Sequence, residues 1–355
     1  MPVWAWLIPA LSLAALGGAL VVGVGPWLAV LCAAVLVGAV IAAVHHAEVV
    51  AHRVGEPFGT LVLAVAVTVI EASLIISLLI AGGEDAAVIP RDTLYAAVMI
   101  ICNGVVGICI LVGGLAHHEQ TFRVEGSSAG LAALIAMSAL ALVLPDFTTT
   151  TGFGTYSRGQ LLFAAVTSTV LWAIFVFVQT VRHRDYFLPV QDKANADAHA
   201  HPPTNLQAAA SFGLLLVCLV SVVGLAKMLS PTIESAVIKA GAPKAVIGII
   251  IAMVVLLPET WAAVRAARAN RLQTSMNLAI GSALASIGLT IPVVAVAAIA
   301  LDLPLTLGLD PKGLVMLAIT FLISAVTLGT GRTHMMQGAV HLVVFAAFLF
   351  LAFVP

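Results

Sequence analysis

Residues 55–80 read GEPFGTLVLAVAVTVIEASLIISLLI. From Phe58 onward the run is almost wholly apolar and encloses one carboxylate, Glu71, near its middle. A run of this length spans the roughly 30 Å hydrocarbon core of a bilayer as a helix. A charge at the centre of such a helix costs at least about 2.5–3.5 kcal/mol, which makes an acid retained there a candidate functional group. The plainer alternative is a protonated Glu bonded to a neighbouring helix.

A second run of the same kind argues for function. Residues 245–267 read AVIGIIIAMVVLLPETWAAVRAA, again with one acid, Glu259, deep in an apolar stretch. Ala64 and Ala252 each lie seven residues before the acid, on its helix face. Gly59 and Gly248 lie close to eleven before it, and Thr60 and Thr68 add hydroxyls in the first copy. Small residues on one stripe admit a neighbouring helix. Two such segments read as an internal repeat with one buried carboxylate per copy, a pattern of secondary transporters.

Composition sets the class. Hydrophobic residues make up 62% of the 355 and charged residues 9%, with a net charge of −1, where soluble domains carry about 25% charged residues. The fold class is therefore an all-α polytopic membrane protein in a lipid bilayer, and the charge balance gives no reason to expect nucleic acid as a partner. Cys32, Cys102, Cys109 and Cys218 all fall inside apolar runs without CxxC spacing and read as packing residues.

Eleven spans are expected, at about 4–24, 26–44, 57–81, 92–115, 127–144, 159–181, 207–229, 244–267, 274–300, 313–330 and 335–354. The first lacks a basic leader and a cleavage site, so it is kept as a helix rather than a signal peptide. Arg53, Arg123, Arg182, Arg184, Lys193, Arg265, Arg268, Arg271 and Arg332 fall on one side, and Arg91, Arg158, Lys227, Lys239, Lys244 and Lys312 on the other. The excess places the first group and the N-terminus in the cytoplasm of a bacterial inner membrane, and the C-terminus outside.

Parity then makes the Glu71 and Glu259 helices cross in opposite directions, as inverted repeats do. The chain divides into an extra N-terminal helix (1–25), a first five-helix half (26–182, with its repeat at about 55–115), a linker (183–206) and a second half (207–355, with its repeat at about 244–300). The linker, rich in Asp, Pro and Ala, is expected to be a mobile cytoplasmic connection. Its Asp192, Asp197, His199 and His201 read as solvated linker residues rather than metal ligands.

Each Glu helix is followed by one with polar atoms at membrane depth. Asn103 offers an amide in the first, on a face with Ala96, Gly107 and Gly114. The second, RLQTSMNLAIGSALASIGLTIP, carries Ser275, Ser282 and Ser286 on one stripe and Asn277, Gly281, Ala285 and Gly288 on the next. Helix packing through Ser and Gly is the competing reading for each serine. Pro258, directly before Glu259, removes one backbone N–H and frees carbonyls near Val254 and Val255. Two carboxylates with neutral oxygens suit a hard cation such as Ca²⁺. Burial disfavours an uncompensated carboxylate charge, so cation and proton compete for Glu71 and Glu259, the expected metal ligands. Such competition at a site reached from alternate sides is antiport. No cofactor is called for, because the cation is cargo.

His45, Glu48 and His52 share one helix face, and His117, His118 and Glu119 form a second cluster. Both are candidates for cytoplasmic pH sensing or gating, against the simpler reading of a polar rim. His341, inside the last span, is expected to be a hydrogen-bonded packing residue. The HExxH zinc-protease pattern is missing after His118-Glu119, and nothing in the sequence positions Ser282 with His341 as a hydrolytic pair.

The stretches VVAHRVGEPFGTLVLAVAVTVIEASLI, RDTLYAAVMIICNGVVGICILVGGLAHHEQTF and ETWAAVRAARANRLQTSMNLAIGSALASIGLTIP resemble bacterial calcium/proton antiporters of the ChaA type, in the cation/calcium exchanger superfamily. The resemblance implies an extra first helix followed by two inverted five-helix halves. It implies Glu71 and Glu259 as the shared cation and proton carriers, with Asn103 and Ser282 beside them. Members of this type are also associated with sodium and potassium exchange. The sequence departs from vacuolar relatives where they carry Gly-Asn before each acid: here those places hold Val67-Thr68 and Val255-Leu256. A passive cation channel and an intramembrane hydrolase are the alternatives of other classes.

Overall fold

A computed structural model describes residues 2–55, 58–188, 203–239, 241, 243 and 245–354. Among these, eleven helices are long and apolar enough to cross a membrane. They are α1 (Trp4–Val22), α2 (Pro26–Val54), α3 (Phe58–Gly82), α4 (Ile89–His117), α5 (Val124–Phe147), α6 (Arg158–Arg182), α7 (Asn205–Lys239), α8 (Ala245–Arg268), α9 (Leu272–Leu301), α10 (Pro311–Leu328) and α11 (Met335–Phe353). Glu119–Thr121 (β1) and Arg332–His334 (β2) add a short antiparallel ribbon.

Most helices lie where hydropathy puts them, but α2 does not end near residue 44. It continues to Val54, because no helix breaker intervenes before Gly55. That extension carries His45, His46, Glu48 and His52, so the helix face expected of His45, Glu48 and His52 lies within α2. Arg184–Phe187 form a 3₁₀ turn with Phe187 buried, and α7 begins at Asn205. Asp192, Lys193, Asp197, His199, His201 and Lys244 lie outside the described residues, as do the side chains of Gly59 and Thr60.

The two Glu helices run antiparallel. α2 ends and α3 begins on one face of the bundle, so α4, which follows α3, ends on that face at His117. The His117 Nε2 lies 2.9 Å from the Arg268 carbonyl at the end of α8. α3 therefore starts where α8 stops, the inverted arrangement of two five-helix halves behind an extra first helix.

The halves interleave. α8 packs along α4, and α3 packs against α7, α8 and α9, while α2 and α7 share the largest helix contact. α4 is the most enclosed, with 83% of its apolar window buried against 17% for α11. Glycine permits a close crossing: a Cβ on Gly248 of α8 would stand 2.8 Å from backbone atoms of Asp92 and Thr93 in α4. The four cysteines are free and buried, as packing residues should be.

Candidate cation site

Glu71 sits midway along α3 and is 1% exposed. Its Oε2 accepts hydrogen bonds from Ser286 Oγ at 2.8 Å and from Thr290 Oγ1 at 3.0 Å. Both donors stand in a π-helical stretch of α9, Ser286–Thr290. Pro292 lies just beyond it and has no N–H to return to the carbonyl of Gly288, so the ladder widens at that point. Two hydroxyl donors on one oxygen compensate a carboxylate taken out of water.

Glu259 has a different setting. It is part-exposed on the wall of a cavity of about 230 Å³ lined by α3, α6, α8 and α9, and Ser282 lines the same cavity. Its Oε2 is buried and has no hydrogen-bond partner among the described residues. Glu71 and Glu48 both lie within electrostatic reach of it. α9 thus serves both acids, presenting Ser282 to the cavity of Glu259 and, one and two turns on, Ser286 and Thr290 to Glu71.

The approach to the pair is one-sided. A larger cavity of about 630 Å³ is lined by Trp4, His45, Glu48, Pro258, Arg265 and Arg271, among others, and shares Thr274 and Leu278 with the cavity of Glu259. On the opposite face Arg91 pairs with Asp92 at 2.8 Å and donates to the Gly308 carbonyl at 3.1 Å. The small cavity beside that ion pair reaches α8 only at Ala245 and Ile249, about 15 Å along the helix from Glu259. Of these cavities, the one on the arginine-rich face adjoins the site and the one on the opposite face does not.

Asn103 requires a correction. It is buried on α4, but its amide turns toward α10 and α11 rather than toward either acid. Its Nδ2 donates to Thr320 Oγ1 at 2.8 Å, and its Oδ1 lies 3.2 Å from His341 Nδ1. His341 Nε2 in turn meets Thr327 Oγ1 at 3.1 Å. Asn103 is consumed by this network and His341 is the hydrogen-bonded packing residue expected of it, well placed for neither cation binding nor a pair with Ser282.

The remaining predicted residues divide. Ser282 and Ser286 are at the site, and Pro258 lines its approach. Asn277 lines the Glu259 cavity, yet its amide is held by the Phe187 carbonyl at 2.6 Å and by Gln273 at 2.9 Å, so it is a brace. The Thr68 hydroxyl on α3 is buried with no partner among the described residues. His45 and Glu48 face the larger cavity together, while His52 is exposed. His117 and Glu119 belong to the end of α4 and to the ribbon, where Glu119 meets Arg332 at 3.5 Å. His118 forms the turn between them in the left-handed region, at φ 64°.

Two residues of the site, Thr290 and Gln179, escape a reading of the sequence. Thr290 lies four residues beyond Ser286 and continues its row, a signal hidden by its place just before Ile291-Pro292 at an apparent helix end. Gln179 lines the Glu259 cavity from α6, and nothing in its neighbourhood sets it apart. Two carboxylates with three hydroxyls make an all-oxygen donor set, which suits a hard cation.

The sodium/calcium exchanger protein family profile matches residues 24–181 and 210–354. The y4hA protein of Sinorhizobium fredii is 48% identical over 358 residues, covering 100% of this chain and 97% of its own. The sodium-potassium/proton antiporter ChaA of Escherichia coli is 35% identical over 312 residues, 87% of this chain and 84% of its own. A Ca²⁺/H⁺ antiporter of Aphanothece halophytica is 25% identical and covers 71% of each chain. Among solved structures, native YfkE superposes with a TM-score of 0.76 at 19% identity, over 99% of this chain and 100% of its own. The H⁺/Ca²⁺ exchanger CAX superposes at 0.71 and 15% identity, over 98% and 87%.

Proposed function

Because the chain belongs to the sodium/calcium exchanger family, we propose that it is a cation/proton antiporter with Ca²⁺ as its preferred cargo, exporting the cation across a bacterial inner membrane in exchange for inward protons. The N-terminus and the arginine-rich face are then cytoplasmic and the C-terminus lies outside. One observation carries this reading: two carboxylates on antiparallel central helices, served by a single row of hydroxyls on α9.

Glu71 and Glu259 hold the cation when ionised. Their charges offset that of a divalent ion, and the hydroxyls of Ser282, Ser286 and Thr290 supply neutral oxygens. When the cation leaves, two carboxylates within reach of one another in a low dielectric repel, and protons remove that repulsion. Loading with cation and loading with proton are therefore mutually exclusive, which couples the two fluxes. Return of the protonated form through the closed state completes the cycle, the general scheme of alternating access at a midplane site between inverted repeats.

A second reading, Na⁺ or K⁺ exchange, has its own support in the name carried by the Escherichia coli relative at 35% identity. The site permits it, since a monovalent ion needs only one ionised acid and a proton can stay on the other. Purified protein in liposomes, with proton flux recorded separately under Ca²⁺, Na⁺ and K⁺ gradients, decides between them. The expected result is the largest proton flux with Ca²⁺, with an apparent KM that falls as pH rises on the same face. Cation current without proton flux would leave a channel in its place.

A further inference from the structure

The larger cavity contains an acid that the two-carboxylate scheme does not use. Its charged lining consists of Arg265 from the end of α8, Arg271 from the start of α9, and Glu48 from α2, with His45 beside it. Glu48 is the single acid on that wall among the described residues. It is exposed there, although it stands six residues inside the end of α2 at Val54, about 9 Å along the helix. The cavity adjoins the one that holds Glu259. Pro258, the residue before Glu259, shares the wall, and Thr274 and Leu278 line both this cavity and the one that holds Glu259.

A cation arriving from this face passes two guanidinium groups, which oppose it. Removing Glu48 would leave the wall with arginine charge alone. Glu48 adds a carboxylate to the wall that Arg265 and Arg271 share with Pro258, the residue before Glu259. His52 follows one turn further along α2. The titratable and charged groups facing Glu48 are thus His45 and His52 on its own helix, Arg265 on α8, Arg271 on α9, and Glu259 at the far end.

We propose that Glu48 is the gateway carboxylate of the cytoplasmic mouth: it captures the metal cation in the 630 Å³ cavity and passes it to Glu259, so that it sets cation affinity from that face alone. This rests on the exchange reading above. The effect must scale with the valence of the cargo. A change in local potential enters the cation concentration as an exponent multiplied by the charge, so the factor for a divalent ion is the square of that for a monovalent ion.

The test is sided cation/proton exchange in liposomes of uniformly oriented protein, comparing wild type, Glu48→Gln and Glu48→Asp. For Glu48→Gln the expected result is a cytoplasmic-face KM raised about fivefold for Na⁺ or K⁺ and about twenty-fivefold for Ca²⁺. The KM from the other face and the maximal rate stay as in wild type, and Glu48→Asp behaves nearly as wild type. Near 1 M salt, where the screening length is about 3 Å, the Glu48→Gln difference shrinks toward none. Equal KM in Glu48→Gln and wild type, a rise on both faces, or a factor that ignores valence and salt overturns the proposal. If Glu48→Gln is not recovered folded, Arg271→Gln gives the converse reading: the cytoplasmic KM must fall, and an unchanged or raised value overturns the proposal. Wild type that moves no protons with any of the three cations defeats the exchange reading itself, an outcome visible before any variant is compared.

Discussion

The two halves of the molecule carry the same acid at corresponding places but treat it differently. Glu71 in the first half is sealed in and bonded twice through one oxygen. Glu259 in the second half faces a cavity and keeps one buried oxygen without a partner among the described residues. The difference originates in the next helix of each repeat. The π-stretch of α9 turns two hydroxyls toward Glu71, whereas the corresponding π-stretch of α4, Ile100–Val105, turns Asn103 outward to α10 and α11. Inverted repeats need not give equivalent surroundings: one acid is enclosed and held by hydroxyls, and the other faces a cavity.

The contrast can be broken most severely at the acids. Glu71→Gln and Glu259→Gln are each expected to reduce proton-coupled cation flux at least about a hundredfold, the equivalent of ~2.7 kcal/mol, with folded protein still recovered by size-exclusion chromatography. Robust exchange by either variant would remove that acid from the site. Next in size are the hydroxyls that distinguish Glu71. Ser286→Ala and Thr290→Ala should each raise the cation KM about tenfold, as expected for a lost hydrogen bond to a charged group. The double variant should fall short of the product, because both donors share one oxygen. Equal effects of Ser286→Ala and Ser282→Ala would count against the asymmetry. Ser282→Ala acts through a cavity wall and not a direct bond, and is expected to change KM by no more than about threefold. The smallest effect on transport is predicted for Asn103→Ala. Leaving Thr320 and His341 without their partner should lower the melting temperature by roughly 5 °C, while the cation KM of the surviving protein stays at the wild-type value.

The parts of this arrangement that can be read from residues alone are those set by burial and direction. Long apolar runs fix spans, an acid in each of two runs marks the candidate site, and an odd offset of five spans, the third against the eighth, makes the helices antiparallel. Gly248 is legible as a contact point because its smallness has one use on a packed face. The illegible parts depend on local departures from regular helix. A π-turn rotates every later residue around the axis, so a face drawn at 3.6 residues per turn through Ser286 or Asn103 drifts off its true direction. Asn103 is assigned to the wrong side for that reason, whereas Thr290 stays hidden by its place at an apparent helix end before Pro292. The length of α2 is underestimated because its last turns are polar: Glu48 lines a cavity, and His52 and Arg53 beyond it are exposed. Glu48, His45 and the arginines at the ends of α8 and α9 converge only in three dimensions.

The network that takes Asn103 away from the cation has a direction built into it. Asn103 gives its amide hydrogen to Thr320, whose own hydroxyl hydrogen goes to the Met316 carbonyl at 2.8 Å. The Asn103 oxygen can then only accept, so His341 must carry its hydrogen on Nδ1, and Nε2 is left to receive the one from Thr327. One imidazole tautomer satisfies every member, and the other would set two acceptors face to face at Asn103. Replacing Asn103 by Asp would strip the donor toward Thr320, so that Thr320 would have to turn its hydroxyl hydrogen from the Met316 carbonyl to the new oxygen, while His341 still donates to the carboxylate. The scaffold helices α10 and α11 are thus keyed to α4 by hydrogen polarity as well as by shape.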